Sequence, residues 1–132
     1  MDDELREVIR GSQAILHEGR YAYLKAASQT NLGDHFLVAQ DGDETTVVTA
    51  ERHVDSLLFE EDVKWFRLIE IRVSLPFLAK GFIAAVTRAL ADRDLNVLVV
   101  STFSKDYFLV REEGSDEALA ALRDLGFPLA AG

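Results

Sequence analysis

Catalysis needs a nucleophile beside a base, converging acids or a metal, and the side chains that could supply these are few and scattered in this chain. Its three histidines, His17, His35 and His53, fall far apart in different predicted elements. His53-x-Asp55 would hold a metal only with help from distant residues, so solvent-facing or locally bonded histidines are expected rather than ligands. Asp41-Gly42-Asp43-Glu44 starts like a calcium loop, but the remaining ligands and the spaced final glutamate are missing. A hairpin turn is expected there. Glu60-Glu61-Asp62 and Glu112-Glu113 bring carboxylates together in sequence, yet adjacent residues of a strand point to opposite faces, and a solvated surface is expected. Cysteine is absent, which removes disulfides, thiolate catalysis, cysteine-ligated zinc and iron–sulfur clusters. These residues predict no enzyme activity, no metal and no cofactor.

What remains is a site made of backbone and hydroxyls. Gly81 sits where the chain turns into a helix, and a residue without Cβ lets a ligand approach N–H groups whose partial positive charge favours a carboxylate. Close packing of helix on sheet explains the same glycine. Ser101 and Thr102 interrupt an apolar strand at its end, placing hydroxyls and free carbonyls near the same edge. Asp106 follows the turn and can accept from an ammonium or from the turn's own backbone. Phe36, Val38, Val47, Phe59, Trp65 and Phe66 recur at strand spacing and are assigned to packing.

The elements that must position these residues follow from periodicity. Asp2, Asp3 and Glu4 ahead of Leu5, Val8 and Ile9 suit a short amphipathic helix or a frayed leader. Ala14 to Ala26 reads as a hairpin or a bent strand around Glu18 and Gly19, and HFLVAQ-DGDE-TTVVTAE as a strand, turn and strand. A short helix behind His53 is expected to run to Phe59, followed by an acidic link at Glu60 to Asp62. Lys64 to Val73 alternates as a strand with one wet face, and Pro76 leads into a helix from about Phe77 to Arg93. NVLVVSTF reads as a central strand covered on both faces, YFLVRE as its partner, and Ser115 to Gly126 as a helix pointing Leu119, Leu122 and Leu125 inward. A last short strand is placed at Phe127 to Ala130.

Sliding the chain by 61 residues superimposes strand, four-residue turn, strand and helix on themselves: Leu37 falls on Leu98, Val38 on Val99, Glu51 on Glu112, Asp55 on Asp116 and Leu58 on Leu119. The second half is β-α-β-β-α-β, the split βαβ pattern of a ferredoxin-like sheet. Between Ala26 and His35 the chain is too short for a crossover helix of normal length, so the first unit lacks its first helix. The expected fold is α+β: two ferredoxin-like units in tandem, residues 1–62 degenerate and residues 63–132 complete.

Trp65, Leu75-Pro76-Phe77, Gly81, Leu90-Ala91, Ser101-Thr102-Phe103, Asp106-Tyr107 and Leu109-Val110 together resemble the ACT-domain family. Within it the chain is similar to the small tandem ACT proteins related to the cytosolic arginine sensor of animal cells. The resemblance extends more faintly from about Gly19 to Gly126. It implies a regulatory module that binds a free amino acid or another small effector, through Leu75, Phe77, Gly81, Phe82, Ser101, Thr102, Phe103 and Asp106. It also implies two ACT units side by side. In the first unit Gln40 and Asp41 replace the Ser-Thr pair and Thr45 stands where Asp106 stands, which leaves at most one competent site per chain.

Composition bounds the partners. With 132 residues and 48% hydrophobic content a core is affordable, and no apolar run reaches the ~18 residues that span a bilayer. The acidic start is unlike a signal peptide, so a cytoplasmic protein is expected. A net charge of −9 repels nucleic acid and anionic membranes. A sheet edge left open favours a like edge, and a homodimer is expected. Without an attached enzyme domain, output would pass through a separate downstream protein. The rival reading is a constitutive dimerisation or interaction module that has lost ligand binding.

Overall fold

The computed structural model describes residues 1–27, 33–74 and 79–130. They gather into two compact units, one formed by Met1–Glu18 with Arg67–Gly132 and the other by Gly19–Phe66. The units therefore divide the chain differently from a cut after residue 62, because the N-terminal segment joins the later one.

In the discontinuous unit, α1 (Asp3–Gly11) begins where the Asp2 carboxylate accepts the Leu5 N–H at 2.8 Å. Asp3 and Glu4 add negative charge at the positive end of the helix dipole. Leu5, Val8 and Ile9, spaced for one helix face, are buried in the core; this is a docked helix and no frayed leader. β1 (Gln13–Leu16) pairs antiparallel with the end of β5 (Phe59–Arg72), Ala14 opposite Ile71. After α3 (Phe82–Ala91) come β6 (Val97–Ser101), β7 (Lys105–Arg111), α4 (Ser115–Leu125) and β8 (Leu129–Ala130). From β5 onward this is the ferredoxin-like order expected. β7 pairs with β5 and β6, while β8 pairs parallel with β1, so β1 lies between β5 and β8. Ile69, Ile71, Phe108 and Val110 bury one sheet face against Val86 and Leu90 of α3 and Ala118 and Leu122 of α4. Leu119 and Leu125 are only partly buried at the edge of that core.

The other unit contains β2 (Tyr21–Ala26), β3 (Leu37–Gln40), β4 (Thr45–Ala50), α2 (Glu51–Val54) and the first residues of β5, in the order β3, β4, β2, β5. Its core is Ala22, Leu24, Ala26, Val47, Val54 and Leu57, with Val38, Phe59 and Trp65 packed on it. The β3–β4 and β6–β7 hairpins keep the 61-residue offset in their registers: Gln40 pairs with Thr45 as Ser101 pairs with Asp106, and Leu37 with Val48 as Leu98 with Leu109. The expected absence of a helix after Ala26 falls largely on residues 28–32, outside the described residues.

Several boundaries differ from expectation for identifiable reasons. β1 and β2 form no hairpin with each other, since each pairs with a different stretch of β5, and Gly19 (φ 76°) turns the chain between them. α2 starts at Glu51 and stops at Val54, because Phe59 already opens β5. Glu60 to Asp62 are strand residues, with Asp62 opposite Leu24 and Glu61 opposite Lys25. α3 starts at Phe82, not near Phe77, because Gly81 lies at φ 80°, where a right-handed helix cannot pass. Finally, β6 is not covered on both sides: among the described pairings its one neighbour is β7, and Val99 is 39% exposed. Apolar β-branched sequence fits a buried strand and an unprotected edge equally well.

Candidate functional site

The site is built at the start of α3. Gly81 is the N-cap residue and provides no side-chain cap bond, so the first-turn N–H groups meet no side chain of their cap. Among the described residues a Cβ on Gly81 would find only Leu5 Cδ2, at the ordinary contact distance of 3.8 Å. The left-handed backbone, rather than space for ligand or sheet, is what demands glycine. Phe82 then turns inward, 4% exposed, with its ring edge-on to Phe127 at 5.7 Å. Ile83 stays 37% exposed.

The second part is the tip of the β6–β7 hairpin. The Thr102 N–H donates to the Lys105 carbonyl at 2.9 Å, which closes a tight turn over Phe103 and Ser104. The Ser101 hydroxyl donates to Asp106 Oδ1 at 2.6 Å. Asp106 thus helps hold its hairpin while one carboxylate oxygen stays outside that bond. Phe103, at the tip, is 86% exposed.

A cavity of about 220 Å³ lies between these two parts. Of the residues expected at the site, Phe82, Ser101, Thr102, Phe103 and Asp106 line it; Gly81 is not among the lining residues and makes the turn that sets the helix start. Leu75 and Phe77 lie outside the described residues. The lining also includes Val73, Ala79, Ile83, Ser104 and Lys105, which the sequence reading missed. By spacing Ile83 is an ordinary helix residue and Lys105 an ordinary turn residue; neither spacing says that they face one cavity.

At the equivalent β3–β4 turn the chemistry differs. Asp41 Oδ1 accepts the N–H groups of Asp43 and Glu44 at 2.8 and 2.9 Å. Those two bonds hold its carboxyl below the ordinary range. The acidic turn is therefore an aspartate-capped hairpin, as expected, whose carboxylate serves its own backbone.

A buried carboxylate lies elsewhere in the discontinuous unit. Glu70 was expected on a wet face and is only 5% exposed. Its carboxylate accepts from His17 Nε2 at 2.8 Å and from Arg72 Nε at 2.7 Å. Burial pushes its pKa up, but the bonds from Arg72 and His17 outweigh this and hold it below the ordinary value. The His17 ring also meets Tyr107 edge-on at 6.1 Å. His35 Nδ1 lies 2.9 Å from Thr49 Oγ1, and its ring faces His53 at 6.2 Å, so the histidines are locally engaged. Among the described residues no group of three or more His, Cys, Asp or Glu side chains could hold a metal ion, and no helix is long and apolar enough to cross a membrane.

Residues 63–124 match the family model described as ACT domain. Among solved structures the chain is similar to a Vibrio cholerae protein of unknown function described as a possible transport protein, with TM-score 0.78 and 22% identity over 93% of this chain and 96% of that one. An Agrobacterium tumefaciens protein follows at TM-score 0.70 and 18% identity, over 92% and 93% of the two chains. The ligand-free regulatory subunit of aspartate kinase from Thermus thermophilus matches at TM-score 0.63 and 10% identity, over 85% and 95%. No curated protein matches the chain. At these identities the structural likeness is one of fold, and the fold is ACT-like.

Proposed function

We propose that the chain is a non-catalytic regulatory module that binds an α-amino acid in the cavity between the start of α3 and the β6–β7 hairpin. The observation that carries the reading is the convergence of Phe82, Ser101, Thr102, Phe103 and Asp106 on one small cavity. An ammonium would meet Asp106 and a carboxylate the first-turn N–H groups of α3. Leu75, Phe77 and Gly81 belong to the same proposed site through the resemblance and through the turn that Gly81 makes. The likeness to a regulatory subunit of aspartate kinase supports the regulatory part of the reading. Tandem organisation, with a degenerate unit beside the ACT domain, and kinship with arginine sensors go with it as proposals. So does a downstream protein that reads the liganded state, since a ligand acts only by favouring one arrangement over another.

A homodimer fits the exposed edge of β6, a run of apolar residues without a charge or proline to block pairing. The same edge, with Phe103 at its tip, favours the second reading, a constitutive interaction module without a ligand. Calorimetric titration of the twenty amino acids separates the two. Saturable heat from the natural chain that disappears in Asp106→Asn, which keeps an acceptor for Ser101 but loses the charge, supports binding at this cavity. Silence from every amino acid favours the interaction module.

A further inference from the structure

We infer that the amino acid taken at this cavity carries an uncharged, apolar side chain; the step rests on the amino-acid reading above. The lining is divided by chemistry. Its polar groups come from the β6–β7 hairpin, and among the described lining residues Asp106 is the one carboxylate and Lys105 the one cation. An α-amino acid uses both. Its ammonium pairs with Asp106, and its carboxylate pairs with Lys105 beside the first turn of α3.

Among the described lining residues no charge is left over for the ligand's own side chain. Arginine or lysine would need a second carboxylate, and aspartate or glutamate a second cation. A charge brought out of water without a partner is costly, so such ligands are discriminated against. The wall away from the hairpin is made of Val73, Ala79, Phe82 and Ile83. Ile83 and Phe103 are 37% and 86% exposed, apolar surface that a bound apolar side chain would cover. Size agrees with charge: about 220 Å³ falls below the roughly 300–1,000 Å³ of pockets for drug-sized ligands, which suits a single amino acid.

The test titrates leucine, phenylalanine, serine, arginine, lysine and glutamate into the full chain and into Ile83→Glu. Leucine or phenylalanine is expected to bind the natural chain, and Ile83→Glu to weaken that binding by at least about tenfold, the scale of a lost apolar contact in a pocket. Ile83→Leu should retain it. Ile83 is exposed, and an acid in the first helical turn suits the dipole, so the unliganded variant should melt with the natural chain. Binding confined to charged amino acids or to serine overturns the inference and leaves the amino-acid reading standing. Apolar ligands that bind Ile83→Glu unchanged also overturn it, and no binding by any of the six in the natural chain overturns the inference, with the twenty-member titration then deciding the broader reading.

Discussion

Replacing Glu70 by glutamine removes a charge from a nearly closed position with little change in shape. The carboxylate accepts from His17 and Arg72 at 2.8 and 2.7 Å, and the amide must turn its NH₂ toward one of those donors. A hydrogen bond to a charged group contributes about 1.5–3 kcal/mol. Because Arg72 is exposed and His17 half-buried, both regain water in the variant, and the net loss should be about 2 kcal/mol rather than the sum of two bonds. With a slope of about 1–3 kcal/mol/M, that shifts the urea midpoint by about 1 M at pH 7. The pH dependence follows from linkage. The folded pKa of Glu70 lies below its ordinary 4.5, so its stabilisation is complete above that value and is lost as pH falls through the folded pKa. Urea unfolding of both chains from pH 7 downward should therefore show the gap closing below pH 4.5. A gap under about 0.5 kcal/mol at pH 7, or one of constant size across the range, refutes the reasoning.

Gly81→Ala should cost about 1–2 kcal/mol, the price of a left-handed residue with a Cβ, since among the described residues no atom crowds the position closer than 3.8 Å. Chemical denaturation measures it, and a neutral or stabilising effect would contradict the backbone explanation. Leu122→Ala, at 0% exposure in the core, should lose about 2–5 kcal/mol; a loss below 1 kcal/mol would mean that α4 packs more loosely than described.

Much of the fold was legible because local chemistry and tertiary structure agree. Asp2 ahead of Leu5, Val8 and Ile9 announces α1, and the DGDE turn announces β3 and β4 through an aspartate that bonds its own loop. The 61-residue echo superimposes the two hairpins, each of them readable from its own strands and turn. Glu70 was not legible. Alternation along β5 puts it on a face that should be wet, and the His17 ring that bonds its carboxylate reaches it only through the fold. The edge position of β6 was hidden for a related reason, since the identity of a strand's neighbours is not written in its own residues. At the site, Ser101, Thr102 and Asp106 were visible as polar breaks in an apolar run. Ile83 and Lys105 carry no such mark, because ordinary helix and turn residues acquire meaning only from the cavity that they share.

The discontinuous unit has a consequence for how the molecule comes into being. β1 lies between β5 and β8, so residues 13–16 need Ile69–Arg72 on one side and Leu129–Ala130 on the other. On a ribosome the chain leaves amino end first, and Gly19–Phe66 holds its own core. That segment can condense while the residues before it are still waiting for partners. The earliest part of the chain thus completes its pairing only with the latest, and a chain ending before residue 129 would leave β1 without its parallel neighbour.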